Sequence, residues 1–330
     1  MHVTVLGAGS WGTTVATLLA GRHPTMLWAR NPETAGEIER EHTNETYLPG
    51  FPLPENLLAT ADLEKAVSHA ELLIVGVPTT AVRATLEQAR KWIHPWIPVV
   101  SLAKGLEQGS LLRMTQVIAE VIPGHPAAAL TGPNIAREIM SGQAAASVIA
   151  TEDLAVARAL QHVMRRGVFR IYTNHDVVGC ELGGALKNVV AIACGIAQGL
   201  GVGDNTRSMV MTRGLAELTR LGVAMGGEAA TFAGLAGMGD LVTTCISPHS
   251  RNRTVGEQLG AGRTLAEITS EMKMVAEGLK TAVTAHELAE KYELDLPVHH
   301  AIYQVVTGEM DAGHAYRGLR RPAGHEAEPG

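Results

Sequence analysis

Residues 3–20 read VTVLGAGSWGTTVATLLA, a β-branched run, a G-x-G-x-x-G turn and an apolar helical stretch in direct succession. The turn motif means little alone, and the strand before it and helix after it give it physical content. Gly7 permits the tight turn, Gly9 lets the backbone approach a pyrophosphate, and Gly12 lets helix and strand pack closely. The helix start at Ser10 and Trp11 then offers unpaired N–H groups and a positive dipole end to phosphates. This end of the chain is therefore expected to bind a dinucleotide through Gly7, Gly9, Ser10, Trp11 and Gly12.

Outward from that turn, short branched runs at 2–6, 25–29, 72–77, 98–103, 127–131, 145–150 and 168–172 read as strands. Helical periodicity lies between several of them, at 13–20, 80–92 and 110–121. Strands alternating with helices predict a mostly parallel sheet with right-handed crossovers. From about Val177 the β-runs stop and the pattern turns helical, broken by glycine-rich turns. The fold class is thus α/β, an N-terminal Rossmann-type domain over 1–176 followed by an all-helical domain over 177–320. The Pro/Gly/Glu-rich tail 321–330 is expected to be disordered.

The 330 residues suit two domains, and the net charge of −6 gives no electrostatic reason to expect nucleic acid or an anionic membrane as partner. Cys180, Cys194 and Cys245 include no C-x-x-C pair and read as buried reduced thiols. The pair His299-His300 lacks ligand-like neighbours, so no metal is expected. A strand pattern from His2 leaves no room for a signal peptide, and the longest apolar run, 189–200, is too short to span a bilayer. A cytoplasmic location is expected, which makes the glycosylation patterns at Asn44 and Asn252 accidental.

Dinucleotide choice is set near the end of the second strand, where an acid hydrogen-bonds the ribose 2′-OH in sites that prefer NAD. Arg30 occupies that neighbourhood, with Glu33 the nearest acid. A guanidinium can accept a 2′-phosphate and gains little from a hydroxyl, so NADPH is expected to be accepted at least as well as NADH.

Four further constellations carry chemistry. VVSLAKGLE places Lys104 just after an apolar strand, facing the ligand crevice of an open α/β sheet. LTGPNIARE sets Gly132, Pro133 and Asn134 in a tight turn after the next strand. Lys187-Asn188 interrupt an otherwise apolar segment, 177–200, in a chain with only seven lysines against twenty arginines. An ammonium without hydration or a partner costs several kcal/mol, so Lys187 is either paired with Glu181 or Asp240 or used in chemistry. GMGDLVTTCISPHSRNRT supplies Asp240, Thr244, Ser250, Arg251, Asn252 and Arg253. Ser and Asn at a helix start, with fork-like Arg, are components of a phosphate site.

Taken in order, GAGSWG, SLAKGLE, TGPNIARE, ELGGALKNVVAIACG, GMGDLVTTC and SRNR resemble the motifs of bacterial-type NAD(P)-dependent glycerol-3-phosphate dehydrogenases, from Met1 to about Val306. The resemblance implies that Lys187 is catalytic, that Lys104 touches substrate and cofactor, and that Asp240 steers Lys187. It further implies a substrate site of Gly132, Asn134, Asn188, Asp240, Thr244, Ser250, Arg251 and Asn252. Cofactor contacts would come from Ser10, Trp11, Arg30, Lys104, Ala136, Arg251, Val275 and Glu277. Asn134 stands where the family often has Ser or Thr. The implied reaction is reversible hydride transfer between NAD(P)H and C2 of dihydroxyacetone phosphate, giving glycerol 3-phosphate for phospholipid synthesis, in a homodimer. The alternatives are a 6-phosphogluconate-dehydrogenase-like enzyme, disfavoured by the short second domain, and a non-catalytic NADPH-sensing protein.

Overall fold

The computed structural model describes residues 1–315 apart from Lys273 and Val275. The cofactor contact expected at Val275 and the tail 321–330 lie outside the described residues. The first half alternates as β1 (Val3–Leu6), α1 (Ser10–Ala20), β2 (Thr25–Trp28), α2 (Pro32–Glu41), β3 (Leu57–Thr60), α3 (Leu63–Val67), β4 (Leu72–Val75) and α4 (Thr79–Ala89). It continues with β5 (Val99–Ser101), α5 (Met114–Val121), β6 (Ala127–Thr131), α6 (Ala136–Met140), β7 (Ala145–Ala150), α7 (Leu154–Met164) and β8 (Phe169–Asn174). The eight strands form one sheet in the order β3-β2-β1-β4-β5-β6-β7-β8. All neighbouring pairs are parallel except β6 and β7, which are antiparallel.

Both faces of this sheet are covered, which is why its central strands are apolar throughout rather than alternating. Along β4, Leu72 and Ile74 enter one core layer with Val3, Val5 and Leu27. Leu73 and Val75 enter the opposite layer with Leu6 and Val99. Strand order reverses between β1 and β4, so a crevice opens beyond the carboxyl ends of those strands, the position where open α/β sheets bind ligands.

The helical half comprises α8 (Val177–Gly199), α9 (Asp204–Ala224), α10 (Ala229–Phe232), a π-helical turn (Leu235–Gly239), α11 (Asp240–Ile246) and α12 (Arg251–Gly260). It ends in α13 (Leu265–Glu271), α14 (Glu277–Lys291), α15 (Pro297–Thr307) and α16 (Ala312–Ala315). Helix α8 is its axis, contributing to three apolar clusters at once. It meets α12 at backbone distance: a Cβ on Gly256 would stand 2.1 Å from the carbonyl oxygen of Ile192, and one on Gly195 2.1 Å from that of Arg253. Val177–Gly199 and Ala229–Ile246 are long and apolar enough to cross a membrane. The first is packed inside the protein as the core of this half, and the second is broken by the π turn.

The α/β reading with a Rossmann-type first half and helical second half holds, with three corrections. An eighth strand, β3, pairs with β2 at the sheet edge, where the sequence reading has none. Residues 110–113 do not begin a helix: Leu111 has φ 61°, and Leu106 bridges Arg113, so the chain turns back before α5 starts. The strand expected over 98–103 keeps only Val99–Ser101, which releases Lys104 beyond the sheet's edge.

Several hydrogen bonds join the halves, and two of these ties lie at α5 and α4. Buried Glu181 on α8 accepts from Thr115 N at 2.9 Å and pairs with Arg113 at 2.6 Å. Glu277 at the start of α14 accepts from Thr79 Oγ1 at 2.6 Å and Thr79 N at 3.3 Å. That second tie satisfies the amino terminus of α4, which has no cap of its own.

Candidate active site

Gly7 adopts φ 113°, and a Cβ there would collide with the backbone of Gly76 and Val77 at 2.8 Å. A Cβ on Gly12 would stand 2.0 Å from the carbonyl oxygen of Gly7, so only glycine lets α1 start this close to β1. Gly9 differs, because a Cβ on it would meet nothing within 4 Å. It is the N-cap of α1 with no side-chain cap, and no acid lies in the first turn. The N–H groups at Ser10 and Trp11 therefore carry no side-chain cap and have a positive dipole end behind them, and the residues present fit a dinucleotide pyrophosphate. The indole Nε1 of Trp11 is buried without a hydrogen-bond partner among the described residues.

Asn44, whose glycosylation pattern is accidental on the sequence reading, holds this turn from behind. Its Nδ2 donates to Ala8 O at 2.9 Å and to Thr13 Oγ1 at 2.8 Å, and the residue is fully buried. Arg30 lies exposed just beyond β2, and Asn31 beside it caps α2. Ala136 opens α6 and packs against the core layer that contains Val5 and Val15.

Across the crevice, Asp240 is the centre of a charge cluster. The π turn brings the chain onto α8 just before it, since a Cβ on Gly183 would stand 2.7 Å from Ala236 O. Such π turns recur at functional sites because they redirect a helix side chain. Asp240 Oδ1 lies 2.8 Å from Lys187 Nζ, and Oδ2 lies 2.7 Å from Lys104 Nζ. Thus the open choice for Lys187 resolves to Asp240, because Glu181 is engaged by Arg113 and Thr115. Lys187 also donates to Thr244 Oγ1, one turn after Asp240, and Lys104 donates to Gly132 O at 2.6 Å.

Asp240 and Lys187 are 2% and 4% exposed, so the cluster is nearly dry. One carboxylate serves two ammonium groups there, leaving one positive charge without a counter-ion inside the cluster. Burial above all, with the charge of Lys187 adding to it and Asp240 opposing both, brings the Lys104 pKa down from the ordinary lysine value to about 8. An uncompensated cation in a crevice is suited to an anionic substrate or to oxygen that becomes negative during reaction.

A chain of amides positions the cluster. Asn188 Nδ2 donates to Lys104 O at 3.1 Å, Asn252 Nδ2 donates to Asn188 Oδ1 at 2.9 Å, and Gly278 N donates to Asn252 Oδ1 at 3.0 Å. Four segments distant in sequence are thereby locked together, and both asparagines are buried. Of the basic turn at α12, Ser250 caps the helix by accepting from Arg253 N at 3.3 Å. Arg253 turns inward to Ser247 O, Gln198 and Glu257, so it is a packing residue rather than part of a phosphate site. Arg251 stays exposed beside Glu277; partial desolvation lowers its pKa and the Glu277 carboxylate opposes that. Asn134 Oδ1 accepts from Ser147 Oγ, while its Nδ2 and Thr131 Oγ1 are buried without a partner among the described residues. Among the described residues no group of three or more His, Cys, Asp or Glu could hold a metal ion.

The N-terminal family model of NAD-dependent glycerol-3-phosphate dehydrogenase matches residues 2–157, and the C-terminal model matches residues 176–317. The chain is 54% identical to glycerol-3-phosphate dehydrogenase [NAD(P)+] 2 of Sphingopyxis alaskensis, covering 100% of this chain and 99% of the relative. It is 50% identical to glycerol-3-phosphate dehydrogenase [NAD(P)+] of Mycobacterium avium, over 98% of this chain and 96% of that one. The crystal structure of glycerol-3-phosphate dehydrogenase from Coxiella burnetii superposes with a TM-score of 0.93 at 34% identity, covering 96% of this chain and 98% of that one.

Proposed function

The chain belongs to the NAD-dependent glycerol-3-phosphate dehydrogenase family and is an NAD(P)-dependent oxidoreductase; from that premise we propose how its residues divide the work. The substrate pair is dihydroxyacetone phosphate and glycerol 3-phosphate. When bound, the nicotinamide cofactor gives or takes the hydride. The observation that carries the assignment of roles is Asp240 bridging Lys187 and Lys104 at the carboxyl edge of the sheet.

In ketone reduction, negative charge develops on the C2 oxygen and must be met by a cation or a proton. Lys187 supplies it: its ammonium is buried, aimed by Asp240 and Thr244, and dry enough that its charge is weakly screened. In the reverse direction the same nitrogen removes the hydroxyl proton. Lys104 adds the second positive charge and lies against Gly132 O, next to the buried amide of Asn134. Arg251, with Asn252 and the start of α12, takes the substrate phosphate and uses that remote binding to align C2. Gly7, Gly9, Ser10, Trp11 and Gly12 hold the dinucleotide, with Ala136 and Glu277 along its path. Exposed Arg30 favours the 2′-phosphate of NADPH.

We place the boundary between the dinucleotide and substrate domains at about residue 176, in the link between β8 and α8. Free, buried Cys180, Cys194 and Cys245 are in keeping with a reducing cytoplasm. An exposed apolar stripe at Met238, Val242 and Ile246 offers surface for a homodimer. The physiological direction we propose is reduction, supplying glycerol 3-phosphate to phospholipid synthesis. The test follows NADPH absorbance after addition of dihydroxyacetone phosphate, with dihydroxyacetone and NADH in parallel. Turnover that requires the phosphate group supports the reading, and equal turnover of the unphosphorylated ketone contradicts it.

A further inference from the structure

Four arginines, Arg22, Arg165, Arg166 and Arg170, line a single cavity of about 480 Å³ in the first half of the molecule, together with Tyr172. None of them belongs to the crevice already described. Arg22 follows the carboxyl end of α1, and that eleven-residue helix separates it from the glycine turn by about 16 Å. Arg165 and Arg166 follow the end of α7, and Arg170 projects from the edge strand β8 with Tyr172 two residues on.

Part of this clustering is explained by local structure, because cations suit helix carboxyl termini. Arg166 is absorbed in that way: it donates to Leu18 O at 3.0 Å and lies across Gly21, where a Cβ would stand 1.6 Å from its guanidinium. The other three are not absorbed. Arg165 meets only His162 Nδ1, at 3.3 Å, and the side chains of Arg22 and Arg170 have no hydrogen-bond partner among the described residues. No described carboxylate pairs with any of the four, although Asp and Glu outnumber Lys and Arg in the chain by 33 to 27. By contrast, Arg83, Arg113, Arg207, Arg253 and Arg263 each have a carboxylate partner.

Like charges gathered on a concave surface repel unless an anion sits among them. A guanidinium fork matches phosphate oxygens in a bidentate manner, and three forks without a carboxylate partner among the described residues exceed what one phosphate needs. The cavity volume falls within the range of small-molecule sites, about 300–1,000 Å³. Arg166, pinned to α1, fixes one wall in advance, which lowers the ordering cost of binding. We propose that this cavity is a second anion site, taking a small soluble molecule that carries two or more phosphate groups.

Inorganic tripolyphosphate is the probe, titrated calorimetrically into the full chain saturated with NADPH so that the dinucleotide crevice is filled. Binding is expected to weaken with added salt and to persist in Arg251→Ala. In the double variant Arg165→Gln/Arg170→Gln it should weaken by about tenfold or more. Both positions are exposed and outside the proposed catalytic machinery, so basal NADPH oxidation by that variant should be unchanged and certifies its fold. Arg22→Gln, in a different loop, should weaken binding independently. Undiminished affinity in these variants, loss of binding in Arg251→Ala, or absence of binding at millimolar probe would each overturn the proposal.

Discussion

Lys187 and Asp240 stand 2.8 Å apart between α8 and α11, and the same carboxylate reaches Lys104 from the sheet edge at 2.7 Å. A buried acid shared by two lysines gives the crevice net positive charge without a metal ligand set among the described residues. The consequences can be measured one residue at a time.

Asp240→Asn leaves one buried and one half-buried ammonium group without that counter-ion. Breaking such a pair costs about 3–5 kcal/mol, so the midpoint of urea unfolding should fall sharply at neutral pH. The loss should shrink as pH rises toward about 8, because Asp240 is what holds the Lys104 pKa up against burial, and without it Lys104 sheds its proton below that value. A pH-independent loss would count against a shared charge cluster.

Lys104 is held at about 8, so it is charged below that pH and neutral above it. The charged form is the one that helps ketone reduction. Hence kcat/KM for dihydroxyacetone phosphate should be level below about pH 8 and fall tenfold per pH unit above it. Lys104→Met should lose that falling limb, and an unchanged limb in the variant would assign the titration elsewhere.

Arg251→Ala should raise KM for dihydroxyacetone phosphate by about tenfold to a hundredfold, the worth of one charge-assisted contact of roughly 1.5–3 kcal/mol. Dihydroxyacetone should be turned over at an unaltered, slow rate. Equal losses on both ketones would remove Arg251 from phosphate binding.

Arg30→Ala should raise KM for NADPH and leave KM for NADH nearly unaltered, since only the former carries the 2′-phosphate. Equal effects on the two cofactors would show that Arg30 does not read that group.

Legibility differed by the range of the interaction. The turn at Gly7–Gly12 was readable because its chemistry is local: strand, glycines and helix follow one another within eighteen residues. Lys187 stood out because a lysine inside an apolar helix is physically anomalous. Strand β3 is not legible in the sequence because four edge residues, one of them exposed Leu58, carry little periodic signal. The partner of Lys187 could not be chosen from sequence, as Glu181 lies on its own helix and Asp240 lies 53 positions away. Asn44 and the Asn188–Asn252–Gly278 chain act through contacts formed only on folding, and an isolated asparagine gives no sign of them. The inward turn of Arg253 was hidden for the same reason, while Arg251 two positions earlier faces solvent.

The central claim is that the buried nitrogen of Lys187 meets the charge developing on the C2 oxygen. Its most direct test is kcat for dihydroxyacetone phosphate reduction by Lys187→Ala at saturating NADPH, with NADPH affinity measured on the same sample. The account predicts a loss of about 10²–10⁴ in kcat with nucleotide affinity retained. Turnover within a few-fold of the unaltered chain would contradict it and would move the proton-transfer role to another group.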